Sequence, residues 1–321
     1  MSPLLPQKAP PGPPQDPQIT LAWEAANRKR AAACAWAAGL LTIVGATLSS
    51  LALSGLPTFD NEAVTATDAI RDLIAGNPIP PGRIALQAEW LSSRLTMPIV
   101  GTILYGIGSL LIFGVIVFLF KATRARNPGF GQLTLIAGAF GAVAFGIGRT
   151  VALLSRYFGI ASFGGGNNLQ ATEALTGDPF VVGKIFSELG ALAIGLAFVM
   201  LGLNAMRVGL LTRFMGVLAM VVGISFVVPL LGAQQGDVLR AFWLATVGFI
   251  FILRWPGGRI PPAWISGKAE PWPSMAAARA QKTSGNAPDS APAPTLPPVA
   301  SNGSGEGDTA GQLRKKRKRK R

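Results

Sequence analysis

The sequence predicts an all-α, polytopic membrane helical bundle of six transmembrane helices with a disordered C-terminal tail. Three observations carry that expectation. Half of the residues are apolar and only 14% are charged, where an ordinary soluble domain carries about 25%. Six apolar runs each approach the roughly 20 residues that a helix needs to cross the hydrocarbon of a bilayer. The last part of the chain loses its large apolar side chains and ends in an unbroken run of Lys and Arg.

The six runs are 31–53, 98–120, 132–154, 185–206, 214–232 and 238–255, which together define a transmembrane domain over 31–255. The second is the cleanest, free of charge until Lys121, whereas the sixth opens beside Asp237 and Arg240, whose charges place its outer end at the lipid headgroups. Arg28, Lys29 and Arg30 stand before the first run as they would in a signal peptide. The run exceeds the ~7–15 apolar residues of such a peptide and a long segment precedes it, so it reads as an uncleaved anchor.

Orientation follows from Lys and Arg beside the spans, because cytoplasmic flanks carry the excess. The N-terminal segment 1–30 holds Lys8, Arg28, Lys29 and Arg30. The second connection holds Lys121, Arg124 and Arg126, the fourth Arg207 and Arg213, and the juxtamembrane segment 256–273 holds Arg259 and Lys268, just after Arg254. The first connection, 54–97, sets Asp60, Glu62, Asp68, Asp72 and Glu89 against Arg71, Arg83 and Arg94 and is net negative. It belongs outside, which puts both termini in the cytoplasm and the chain in a bacterial inner membrane.

Glycine recurs within the second, third and fourth spans, at Gly101, Gly106, Gly108 and Gly114, at Gly138, Gly141, Gly146 and Gly148, and at Gly190, Gly195 and Gly202. Small residues let helices approach closely in lipid, so these three spans are the expected centre of the bundle. In the outer connection, apolar residues at helical spacing over 61–74 and 84–95 predict two short surface helices, divided by a turn at the proline-rich stretch 77–82. Trp90 suits an interfacial position on the second, as part of a cap or lid. Gly164, Gly165 and Gly166 with Asn167 and Asn168 lack the Lys-Ser/Thr and the preceding strand of a phosphate loop, and read as a flexible connection.

Little in the chain carries recognisable chemistry. Histidine is absent and Cys34 is the single cysteine, which removes the commonest metal ligand and acid/base group and any multi-cysteine centre. No cofactor, metal or catalytic residue is expected. Ser187 and Ser225 have no activating partner in the sequence. Charged groups inside spans are the best functional pointers, because burying them is costly unless they are paired or hydrated. Arg149 and Glu188 occupy the outer thirds of neighbouring antiparallel spans and are the expected intramembrane ion pair. Arg156, seven residues after Arg149, and Lys184, four before Glu188, are secondary candidates. Asn204 is a candidate interhelical hydrogen-bonding group.

Segment 274–321 has the composition of a disordered linker ending in Arg314, Lys315, Lys316, Arg317, Lys318, Arg319, Lys320 and Arg321. Its ~40 linker residues have a root-mean-square span of about 35 Å, enough to return the basic run to the membrane. Besides the bilayer itself, the partners expected through this run are anionic lipid headgroups or nucleic acid, bound without base reading. A protein partner is not identified by any motif.

The stretch 195–231, two glycine-rich apolar helices joined by the short basic hinge from Met206 through Arg213 and reopening at Phe214-Met215-Gly216, resembles the C-terminal half of uncharacterised bacterial multi-pass membrane families of the domain-of-unknown-function type. The resemblance implies the membrane body alone and assigns no residue a role. The leading expectation for function is therefore a structural or interaction protein of the bacterial envelope. The alternative is a small transporter or lipophile-binding protein with Arg149 and Glu188 near the site. If the tail recruits a partner or lipid, deleting Arg314 to Arg321 lowers recovery of that partner with the purified protein or alters its localisation; unchanged recovery and localisation remove the tail from function.

Overall fold

In the computed structural model, residues 15–58, 64–228, 233–254 and 260–271 are described. All secondary structure among them is helical: α1 Pro17–Leu53, α2 Ala66–Ile74, α3 Arg83–Ser92, α4 Thr96–Arg126, α5 Leu133–Ser162, α6 Asn168–Leu175, α7 Asp178–Arg207, α8 Arg213–Val227, α9 Ala233–Phe251 and α10 Ala263–Ser266. Four helices, α1, α4, α5 and α7, are long and apolar enough to cross a membrane. α8 is apolar but has only 15 residues, and α9 contains Asp237 and Arg240. The basic run from Arg314 to Arg321 and the linker before it lie outside the described residues.

α1 starts well before the apolar run that predicts it. Asp16 caps it by accepting from the Gln18 amide at 2.8 Å, and Pro17 occupies the first turn, where its missing donor costs nothing. Residues 17–30, expected as part of a separate cytoplasmic segment, are thus continuous with the first span. α4 likewise runs on through Lys121 and Arg124 to Arg126, so those charges stand on a helix and not in a connection.

The six longer apolar helices close a ring. Going round it, α1 packs on α4, α4 on α5, α5 on α7, α7 on α8, α8 on α9 and α9 back on α1. Glycine sets the tightest approaches. A Cβ on Gly148 would lie 2.6 Å from the Ser187 amide nitrogen and 2.8 Å from the Gly183 carbonyl of α7, and one on Gly45 would lie 2.5 Å from the Gly101 carbonyl of α4. Gly195 and Gly223 repeat the arrangement between α7 and α8, each added Cβ meeting the other's carbonyl at 2.6 Å. The glycine-rich spans do pack closely, but α1 and α8 share that role, so no three-helix centre stands apart from the rest.

Close backbones leave the bulky side chains elsewhere. On α5 the inward positions are Gly138, Gly141, Ala142, Phe145 and Gly148, while Ile136, Phe140, Val143 and Ile147 are exposed. Glycines in the helix seam and large apolar side chains on the outer face suit a surface bathed in lipid. The ring interior is filled by Ile112, Ile194, Phe198, Trp243, Val247 and Phe251, all buried.

The short helices α2 and α3 stand where the apolar spacing over 54–97 places them. The third connection differs from expectation: α5 extends to Ser162, and α6 forms where a flexible loop was read. Its cause is local. Asn167 and Gln170 make a reciprocal capping box, while Gly165 and Gly166 take φ of +94° and +142°, conformations that only glycine adopts without strain. α6 then packs on α3, where the Asn168 side chain accepts from the Ala85 amide at 3.1 Å.

Gly190 packs directly on the Phe145 backbone, whereas a Cβ on Gly131 meets nothing within 4 Å. Gly190→Ala should therefore destabilise the protein by about 1–3 kcal/mol through overpacking, read as a lower melting temperature in detergent, while Gly131→Ala leaves it unchanged.

Candidate functional site

Two buried polar clusters occupy the ring interior. Both take a residue from α4, Tyr105 and Arg126, and the roughly 30 Å of helix between these sets the clusters at opposite ends.

The first cluster joins α4, α5 and α9. On α9, Arg240 falls in helical register with Leu244, Val247 and Phe251, all buried in the ring, so its side chain is carried inward with theirs. Asp237 precedes it by one turn and pairs with it at 3.2 Å. Tyr105 completes a closed triangle: its hydroxyl donates to Asp237 Oδ1 at 2.8 Å and accepts from Arg240 Nη1 at 2.7 Å. The Arg240 guanidinium also stands 3.8 Å from the Phe226 ring centroid, a favourable cation–π distance. Asp237 and Arg240 are 6% and 4% exposed. Pairing and the tyrosine hydroxyl allow them inside.

Arg149 faces this triangle. The preceding residue, Gly148, presses on α7, and one further residue turns the helix by about 100°, so Arg149 looks toward α4. Its Cζ lies 4.7 Å from the Tyr105 ring centroid. Glu188 does not meet it: α7 carries Glu188 on an exposed face with Ile185, Leu189 and Leu192. Among the described residues the ion pairs are Arg28–Glu24, Arg71–Asp68, Arg126–Glu24 and Arg240–Asp237, and the expected Arg149–Glu188 pair is not one of them. Helical phase is the physical reason, because the α5–α7 seam is occupied by Gly148, Gly183 and Gly190, leaving neither charge on it.

A cavity of about 270 Å³ lies beside Arg149 and Tyr105, with Ser49, Ser50, Thr102 and Leu53 among its walls. Thr102 is buried and its hydroxyl has no hydrogen-bond partner. The Arg149 guanidinium and the Asp237 carboxylate both line this space, and Asp237 is engaged by Arg240 and Tyr105.

The second cluster ties α1 and α4 to α10. Glu24 is fully buried, and Arg126 donates to both of its carboxylate oxygens, the longer contact being 3.3 Å. Arg126 also donates to the Ala263 carbonyl at 2.7 Å, and Arg28 to the Trp264 carbonyl at 3.1 Å. Trp264 is buried within this frame, its indole nitrogen donating to the Leu210 carbonyl at 2.8 Å and its ring stacked on Phe118.

The remaining sequence candidates are dispersed. Arg156 and Lys184 are exposed, and Arg156 borders a shallow cavity beside α3 and α6. Asn204 donates to the Met200 carbonyl of its own helix at 2.8 Å and does not bridge helices. Trp90 is half-buried, packed against the Leu91–Tyr157 cluster with the Arg94 guanidinium 4.2 Å over its ring. Ser225 bonds within its own helix, and Cys34 is a free thiol packed near Gly114. Among the described residues no group of His, Cys, Asp or Glu is arranged to hold a metal ion.

Sequence reasoning missed Tyr105, Glu24 and Trp264. A signal was present for Glu24, an acid one turn before Arg28. Nothing local marks Tyr105, whose role depends on α9 arriving beside α4. No protein-family model, curated protein or solved structure matches the chain.

Removing one partner of a buried pair leaves an uncompensated charge, at a cost of about 3–5 kcal/mol. Glu24→Leu should therefore lower the melting temperature sharply, and Glu24→Leu with Arg126→Leu should recover part of the loss. An additive double-variant effect would show that the two side chains are not coupled.

Proposed function

We propose that this chain is a six-span membrane protein, both ends cytoplasmic, that binds a small amphipathic anion in the cavity beside Arg149. α8 and α9 are about 22 and 28 Å long at 1.5 Å per residue, close enough to the ~30 Å hydrocarbon to cross it with their flanking turns. They support the six-span reading because they complete the ring made with the four longer helices. The Lys and Arg flanks favour cytoplasmic termini, and the polybasic tail then touches anionic headgroups of the inner leaflet.

One observation carries the binding reading: Arg149 has no carboxylate within ion-pair distance among the described residues, at the wall of a cavity that also holds the unpartnered Thr102 hydroxyl. Arg149 is half-buried, and a guanidinium can hold a carboxylate or phosphate in two parallel hydrogen bonds. The Asp237 carboxylate in the same wall is engaged by Arg240 and Tyr105, which leaves Arg149 as the available charge, and Ser49, Ser50 and Thr102 add further hydrogen-bonding groups. Leu53, Leu153 and Ala46 line the same space, so the rest of the ligand meets hydrocarbon. Such a site serves a carrier for a lipophilic anion or a protein that senses one. The Tyr105–Asp237–Arg240 triangle pairs its two charges internally, leaving the buried Arg240 Nε without a hydrogen-bond partner, and it favours the structural-protein reading as the second choice. The two readings diverge at Arg149.

Decanoate should raise the melting temperature of the protein in an uncharged detergent, following the linkage of binding to stability, and decanol should not. Arg149→Leu should fold and abolish the decanoate effect, whereas Arg149→Lys retains part of it. An equal shift in wild type and Arg149→Leu would remove the anion site and leave the structural reading.

A further inference from the structure

Where the first turns of α1 cross the last turns of α4, at the end of the ring far from Arg149, a groove of about 520 Å³ is lined by Gln15, Ile19, Thr20, Trp23, Lys121 and Arg124. We infer that this groove is a binding site for the phosphodiester headgroup of an anionic phospholipid.

The groove is built by the fold. The Gln15 amide donates to the Ala125 carbonyl at 3.2 Å, fixing the start of α1 against α4. Trp23 stacks on Phe118 with centroids 5.5 Å apart, and Thr20 is buried at the floor. Two cations of α4 border the opening. Lys121 Nζ is 5.4 Å from the Trp23 ring centroid and Arg124 Cζ is 5.8 Å from that of Phe120, so both are held over aromatic faces near the groove. Neither pairs with a carboxylate among the described residues.

Nearby acids do not cancel them. Glu24 is enclosed by Arg126 and Arg28, and Asp16 caps α1. No carboxylate lines the groove. Ile19 is exposed at its rim and Trp23 is half-buried, a combination of aromatic, apolar and cationic groups that matches the polar boundary of a bilayer. The basic flanks assign this end to the cytoplasmic leaflet, where anionic lipids concentrate and each Lys or Arg adds to binding. A free phosphate would use the same two cations, but it would leave Ile19 and Trp23 unused.

The test uses the full-length chain with the eight terminal basic residues replaced by Gln, so that the tail contributes nothing to lipid retention. Native mass spectrometry from an uncharged detergent titrates dioleoyl phosphatidylglycerol, dioleoyl phosphatidylcholine and inorganic phosphate separately. Phosphatidylglycerol should bind more tightly than phosphatidylcholine, and inorganic phosphate should neither be retained nor displace it. Lys121→Gln with Arg124→Gln should weaken phosphatidylglycerol binding on the order of ten- to thirtyfold. Lys121→Arg should preserve it, and Arg149→Leu should leave this component unchanged, which separates it from the cavity site. If the double variant melts below the parent, Lys121→Gln alone is scored, since its side chain is exposed. Equal binding of the two lipids, retention of inorganic phosphate in place of lipid, or a normally melting variant that binds phosphatidylglycerol as before would each overturn the inference.

Discussion

Between α5 and α7 the backbones come into contact, with Gly148 and Gly183 each placed against the other helix's main chain. Lipid is as apolar as leucine and offers helices no reason to associate by burial, so close van der Waals approach must hold them together. The same device recurs at Gly45 with Gly101 and at Gly195 with Gly223, around three seams of the ring. Everything else follows from it. Helices drawn this close cannot carry bulky side chains in the seams, and the large apolar residues therefore divide between the lipid-facing surface and the ring's interior.

An interior of that kind has little tolerance for charge, and the protein handles its buried Arg126 and Arg240 and its half-buried Arg149 in different ways. Arg126 is fixed by a carboxylate from α1 and a carbonyl from α10. Arg240 is fixed by an acid on its own helix, a tyrosine from α4 and an aromatic face. These arrangements join segments distant in sequence and help to explain how α1, α4, α9 and α10 keep their register. Arg149 differs in having an aromatic face and an adjoining cavity where the others have an acid. That difference, more than the presence of charge, is what makes it the focus of the functional reading.

The two ends of the ring have distinct chemistry. Around Arg149 the polar groups are enclosed by helices, whereas Lys121 and Arg124 border a groove on the flank of α1 and α4. Trp264 lies under Arg126 and Arg28 close to the second end, so the α10 segment belongs to the packed body and is not a mere connection to the tail.

Composition and hydropathy by themselves determined that the chain is helical and membrane-associated, because apolar runs near bilayer length have few other solutions. Local spacing also located α2 and α3, whose turns and apolar faces depend only on neighbouring residues. The ends of α1 and α4 were not legible, since a helix continues past the hydrocarbon when its polar turns find partners, and those partners, Glu24 and Arg126, come from different helices. Arg149 was legible as a charge in a span, but its supposed partner was not. Only tertiary structure decided that the glycine seam turns Arg149 toward Tyr105 and leaves Glu188 outside, because a shift of one residue in helical phase moves a side chain by about 100° and sequence spacing within one helix says nothing about the phase of the next.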